Sequence, residues 1–297
     1  MTNVLTIKVR RLLERNLQNI GTLPMIISRL MRVLNDPKSS ASDLASIIAM
    51  DQVLSSRLLR MVNSAYFGLS KEVIDIQQAV GLVGYNVIRS FTFCITLFDN
   101  LDWKSGGVTF NKVNFWLHSL GVGVISRHVA KKFRLRNADD YFVAGVMHDI
   151  GKVFMLQFMT SKFFKTLETA QRYDMSFYET EKTLLDIDHA EIGSWALTKW
   201  EIPRLLIDCT NGHHHPIKKD NNLFPPEVIA LSNCISKEMK IGFGGDYKTG
   251  PEYALLKLKY EIDRNWIDSI QDGVKNEVNQ FAQAIKDKDR DKQRMAN

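Results

Sequence analysis

The sequence predicts an all-α fold. Three observations carry that expectation. Apolar residues recur at three- and four-residue spacing through most of the chain, no stretch alternates convincingly with period two, and only 7 of 297 residues are proline. A content of 45% apolar and 24% charged residues suits a globular protein with a real core, and global disorder is not expected.

The elements follow in order. Lys8, Arg10, Arg11 and Arg15 are interleaved with Ile7, Val9, Leu12 and Leu13, which predicts an amphipathic helix and not a signal peptide. Ser40 with Asp43 three residues on has the form of a capping box. Leu44, Ile47, Ile48, Leu54, Leu58 and Val62 then follow at helical spacing, and Gly68 offers a turn. A second helical run carries Ile76, Val80, Val83, Val87 and Phe91. The polar stretch Asp99 to Lys112, with Gly106 and Gly107, and the glycine-rich stretch Ile241 to Pro251 are the two breaks. They divide the chain into an N-terminal helical part (1–105), a second helical part (106–240) and closing helices with a frayed tail (241–297). Tyr253, Leu256, Tyr260 and Ile262 mark the closing helices; alternating charges from Lys286 to Arg294 mark the tail.

Several classes of protein are not expected. The most apolar stretch, Val143 to Met159, is interrupted by His148, Asp149 and Lys152, whereas a membrane span needs ~20 apolar residues. Cys94, Cys209 and Cys234 are far apart with no metal-type spacing, which fits a reduced, cytoplasmic compartment. The net charge of +6 permits an anionic partner. The basic residues are mixed with acidic ones and form no stripe with aromatics, so a nucleic-acid partner is not expected.

The chemical signal lies in the seven histidines. His118 shares a helical face with Gly121, Val122, Ile125 and Val129 and should point inward. A helix beginning near Asn137 carries Tyr141, Gly145, His148, Asp149 and Lys152 on one face and is apolar on the others, so Asp149 is expected inside. A buried carboxylate needs a cation, a metal or a proton. Lys152, three residues on, could serve. Histidine nitrogen with carboxylate oxygen also suits zinc, iron or manganese. His189 follows Asp188, which forms a capping box with Glu191. His213, His214 and His215 stand just past a helix end. Residue types alone leave a metal centre and a metal-free polar cluster both open; His128 is expected to be ordinary.

Longer motifs add a resemblance. Leu23-Pro24, Leu34 to Pro37, Leu44 to Ile48, Asp51, Arg57 to Gly68, and Ile74 to Val80 with Val83-Gly84 resemble the N-terminal half of the HDOD family. Phe115 to Ser119, Ala144 to Lys152, Asp188 to Gly193, Trp200 with Pro203, and His213 to Pro216 resemble its second half, which is similar to HD phosphohydrolases. The match covers roughly residues 20 to 217. The Asn63-to-Gly68 and His148-to-Lys152 runs together make it specific.

The resemblance implies an N-terminal helical bundle packed on an HD-domain-like helical bundle, and a role in bacterial signal transduction through separate regulatory proteins. It implies a metal set of His118, His148, Asp149, His189, His213, His214 and, in the position of a later aspartate, Asn233. One or two divalent iron, manganese or zinc ions are expected there. The sequence departs from the active HD site at the last ligand, where neutral Asn233 stands for an aspartate, and from the two-metal relatives after the double histidine, where Pro216-Ile217-Lys218-Lys219 replaces Gly-Tyr-Pro. The leading expectation is therefore a regulatory module with little or no turnover. The alternative is a metal-dependent phosphohydrolase in which Asp149 holds the metal and Lys152 meets a phosphate or nucleotide. A nucleotide or RNA sensor is the third reading; a basic cleft near Lys152 and the histidine loop would support it, and pairing of Lys152 with Asp149 in a dry core would remove that support. No membrane partner is expected.

Overall fold

The computed structural model describes residues 39–64, 67–99, 110–200, 202–215 and 224–286. The expected helix at 7–15, the glycine pair at 106–107 and the charged tail beyond 286 lie outside these residues. Among the described residues there are fourteen helices and no strand.

The first four are α1 (Ala41–Ala49), α2 (Gln52–Val62), α3 (Ile76–Val83) and α4 (Tyr85–Asp99). Ser40 caps α1 in the expected box with Asp43, and Asp51 caps α2 through Leu54 N. Asn63, just past the end of α2, satisfies the main chain of the following loop: its Nδ2 donates to Val73 O and its Oδ1 accepts from Val73 N, both at 2.7 Å. Leu44, Ile48, Leu58, Val62 and Ile88 form the core of this group. The run from Ile76 to Phe91 is two helices, not one. Gly84, at φ 100°, breaks it in a conformation that only glycine adopts without strain.

The remaining helices are α5 (Lys112–Lys132), α6 (Ala138–Met147), α7 (Ile150–Phe158), α8 (Thr160–Arg172), α9 (Phe177–Leu185), α10 (His189–Lys199), α11 (Arg204–Gly212), α12 (Pro225–Glu238), α13 (Pro251–Lys259) and α14 (Arg264–Lys286). The centre of the molecule is α5, which packs on α6, α12 and α14. The α5–α6 contact brings backbone against backbone. A Cβ on Gly145 would lie 2.7 Å from Gly123 Cα, so only glycine allows the approach that sets His118 opposite His148.

The helix expected to run from Asn137 past Lys152 is interrupted at His148 and Asp149. The pair stands between α6 and α7, and Asp149 occupies the N-cap position of α7 with a non-helical backbone. The residues are buried as anticipated, but they occupy a joint and not a continuous helical face.

The closing helix α14 reaches both groups, packing on α5 and on α2. Its Phe281 is fully buried against Phe67 and Phe91 of the first group and Phe142 of α6, with ring centroids 5.6–6.5 Å apart. The glycine-rich break is a loop, as expected, and Tyr253, Leu256, Tyr260 and Ile262 beyond it are buried. No single helix among the described residues is long and apolar enough to cross a membrane. Cys209 and Cys234 are free.

Candidate metal centre

Five segments deliver their polar side chains to one interior point. His118 comes from the middle of α5 and His148 and Asp149 from the α6–α7 joint. Lys152 comes from the first turn of α7. His189 is the first residue of α10, after the Asp188–Glu191 capping box, and His213 caps the C-terminus of α11. Asp149 is the hub. Its Oδ2 lies 2.8 Å from Lys152 Nζ, 3.4 Å from His148 Nε2 and 3.8 Å from His118 Nε2. Its Oδ1 lies 3.0 Å from His189 Nε2 and 3.7 Å from His213 Nε2. His214 Nε2 is 3.0 Å from His189 Nε2. These distances bring together His118, His148, Asp149, Lys152, His189, His213 and His214. Asn233 is buried on α12, which packs on α5 and α11, and its Oδ1 has no hydrogen-bond partner. His128 pairs with Glu277, away from this point.

The outer nitrogens fix the inner ones. His148 Nδ1 is 2.7 Å from Gly145 O, His213 Nδ1 2.7 Å from Thr210 O, and His189 Nδ1 2.5 Å from Glu181 Oε2. Carbonyl and carboxylate oxygens only accept, so each Nδ1 carries the proton and donates it. In a neutral imidazole the lone pair is then on Nε2, which faces the interior. His118 Nε2 and His148 Nε2 make no hydrogen bond and are completely buried. Lys152 compensates the Asp149 charge, but these two buried nitrogens beside the carboxylate are left without a partner. This is the observation that fits a metal to the residues present.

Electrostatics agree. Burial opposes ionisation of Asp149, yet His148, Lys152 and His189 together hold its carboxyl well below the usual range. Burial, reinforced by neighbouring His148, pushes His118 down to about 3, and burial likewise holds His213 and His214 well below their ordinary value. These three rings are neutral at physiological pH, the form in which imidazole binds a metal. His189 differs. Burial pulls it down, but the Glu181 and Asp149 carboxylates on either side overcome this and lift it to about 9.

The donors form two groups, each with its ligand atoms within 4.8 Å of one another: His118, His148 and Asp149, and His189, His213 and His214. Nitrogen with carboxylate oxygen suits zinc, iron or manganese, and an all-imidazole group suits zinc, copper, iron or nickel once His189 gives up its Nε2 proton to the metal. The three histidines after α11 have separate roles. His213 is buried, His214 stacks on Tyr178 with centroids 4.2 Å apart, and exposed His215 hydrogen-bonds the Tyr178 hydroxyl.

A strap of residues 241–248 covers the His118 side. Phe243 N donates to Asn114 O at 2.8 Å. A Cβ on Gly244 would lie 2.6 Å from His118 Cδ2, so the strap backbone rests directly on that imidazole. Gly244 O accepts a 2.9 Å hydrogen bond from Lys152 Nζ. Asp246 anchors the far end, accepting from Phe177 N at 2.9 Å and Lys237 Nζ at 2.7 Å.

Two participants escaped the sequence reading. Glu181 had a signal: Phe177, Glu181 and Leu185 recur every four residues in α9, so a carboxylate stands on a buried stripe. The strap had only its glycines, which mark a loop but not what it touches.

Comparisons with known proteins place this geometry. A model of the HDOD domain matches residues 20–216. An uncharacterized protein of Treponema pallidum (strain Nichols) is 24% identical over 212 residues, 71% of this chain but 40% of that protein, so the chain spans about two fifths of that relative's length. The fold is similar to that of an HDOD domain protein of unknown function from Geobacter sulfurreducens (TM-score 0.65, 22% identity, covering 95% of this chain and 98% of that one). It is similar to a candidate phosphohydrolase from Shewanella amazonensis SB2B (TM-score 0.68, 22% identity, 92% and 98%). It also resembles a candidate signal transduction protein from Marinobacter aquaeolei VT8 (TM-score 0.65, 14% identity, 89% and 59%). With its family model spanning two thirds of the sequence and its helices following the same architecture, the chain belongs to the HDOD domain family.

Proposed function

We propose that this chain is a regulatory module of bacterial signal transduction that acts through separate protein partners, with little or no turnover, and that its His/Asp centre holds one or two divalent transition-metal ions. One observation carries the reading: the Asp149 end of the centre is closed to solvent, with only His214 at the far end partly exposed. His118, His148, Asp149, Lys152, His189 and His213 are 0–3% exposed, and the Lys152 ammonium is shared between Asp149 Oδ2 and Gly244 O. The cation that would meet a phosphate is engaged, and the strap stands where a substrate would approach His118. With Lys152 paired to Asp149 in the closed interior, the nucleotide- or RNA-sensor reading loses its support. The free thiols of Cys209 and Cys234 support a reduced, cytoplasmic setting.

The donor set favours a second reading, a metal-dependent phosphohydrolase. His118, His148 and Asp149 would hold one ion, with His189, His213 and His214 available for another; iron, manganese and zinc all match these atoms. A bound ion would supply Lewis acidity and lower the pKa of a bound water. The chain's own part would be to keep the imidazoles neutral and oriented and to bring Lys152 to the substrate phosphate, which requires Lys152 to leave Gly244.

Elemental analysis of the purified protein, with His148→Ala and Asp149→Ala beside it, tests the centre. The proposal expects metal in the wild type and its loss from both variants. Incubating the metal-loaded protein with a chromogenic phosphodiester and with cyclic dinucleotides separates the two readings. Absence of hydrolysis supports the regulatory module; turnover abolished by Asp149→Ala would replace it with the hydrolase.

A further inference from the structure

We propose that Glu181 is the positioning residue of the centre: its carboxylate receives the Nδ1 proton of His189 and so presents His189 Nε2 to the metal. The inference rests on the metal-centre reading and adds to it a residue outside the ligand set.

His189 is where the two donor groups meet. Its Nε2 is 3.0 Å from Asp149 Oδ1, 3.0 Å from His214 Nε2 and 3.4 Å from His213 Nε2. Whatever sets this ring sets both groups. The other two rings with fixed outer nitrogens lean on main-chain carbonyls, Gly145 O for His148 and Thr210 O for His213. His189 leans on a full carboxylate at 2.5 Å. A carboxylate behind a ligating imidazole fixes its tautomer and plane and raises the basicity of the far nitrogen.

The hydrogen-bond partners of this acid all belong to His189, its Nδ1 and its main-chain N–H. Glu181 is completely buried on the apolar face of α9, between Phe177 and Leu185, and its Oε1 has no hydrogen-bond partner. An alkyl side chain would fill the space without the desolvation that a buried carboxylate suffers. The α9 backbone is meanwhile held independently of Glu181. Ser176 and Glu179 form a capping box, and Asp246 holds Phe177 N. The carboxylate therefore sits on a separately anchored helix, aimed at one residue, His189.

The test compares wild type with Glu181→Gln and Glu181→Ala, each as the full chain. Glutamine keeps a carbonyl oxygen that can accept the His189 proton but removes the charge; alanine removes the acceptor. Cobalt(II) and zinc(II) are titrated against a chromophoric chelator, and the cobalt visible absorption is recorded. The expected result is a ~10–100-fold loss of metal affinity in Glu181→Ala with an altered cobalt spectrum. Glu181→Gln is expected to recover the spectrum and part of the affinity. A merely structural role would lower the unfolding midpoint of the variants and leave the metal affinity and spectrum of folded protein unchanged; that result overturns the proposal. Should Glu181→Ala fail to fold, unchanged affinity in Glu181→Gln overturns it equally. If wild-type protein takes up neither ion, the metal-centre reading fails and this inference with it; if wild type binds and the variants match it, this inference alone fails.

Discussion

The contact between the strap and His118 yields a prediction that needs no metal. In Gly244→Ala the added Cβ would stand 2.6 Å from His118 Cδ2 and 2.7 Å from Nε2. That is about 0.9 Å short of the ~3.5 Å at which carbon contacts are comfortable. Neither side gives easily. His118 is 1% exposed in the middle of α5. Gly244 is held by Lys152, and its neighbour Phe243 by Asn114 O. If both stay, overpacking costs about 1–3 kcal/mol. If the strap lifts, the charged hydrogen bond from Lys152 is lost, which costs about 1.5–3 kcal/mol. Either route destabilises the protein by about 1–3 kcal/mol, read as a lower denaturation midpoint in guanidinium with an unchanged slope. A Gly244→Ala protein within about 0.5 kcal/mol of wild type, the range of an ordinary surface change, would refute the placement of the strap on His118.

Further predictions follow from the same physical rules. Gly273→Ala in α14 meets nothing within 4 Å and should stabilise by about 0.5–1 kcal/mol through helix propensity; a loss of stability would contradict the open space around it. Phe281→Ala empties the aromatic joint between the two helical groups and should lower stability by about 3–5 kcal/mol, measured by chemical denaturation. In metal-free protein, His189 is raised from 6.5 to about 9. Its contribution to stability is therefore complete below pH 6.5 and is lost as pH rises towards 9. Thermal unfolding of chelator-treated protein should weaken across that window, and a flat profile would show that His189 is not held between two carboxylates. Metal-loaded protein should not follow that decline, since a metal takes the unprotonated nitrogen.

Much of this was legible in the sequence, because burial leaves a periodic trace. Leu44, Ile48, Leu58 and Val62 sit at helical spacing and form a core, and Ser40–Asp43 and Asp188–Glu191 are capping boxes as read. His118 and the His148–Asp149 pair could be assigned to the interior for the same reason. Spacing fails where the chain changes direction inside an apolar run. At His148–Asp149 and at Gly84 the helical phase carries on across a two-residue or one-residue interruption, so the break leaves little mark on the pattern. Glu181 was legible only to a reader who asked why an acid lies on a buried stripe. The strap over His118 was not, since main-chain atoms make that contact and any glycine-rich loop would look alike. Asn233 was singled out in the sequence by its place in the family pattern, and it is buried on α12 with an unpartnered side-chain oxygen.

The family match ends at residue 216, and that limit divides the centre into two kinds of parts. His118, His148, Asp149, Lys152, Glu181, His189, His213 and His214 all precede it. The strap that presses on His118, the Asp246 anchor and the helix that joins the two groups all follow it. Asn233 apart, the candidate ligands and the cover thus belong to separate stretches of chain. A substitution in the cover would change what rests on His118 and Lys152 without altering any of these eight residues.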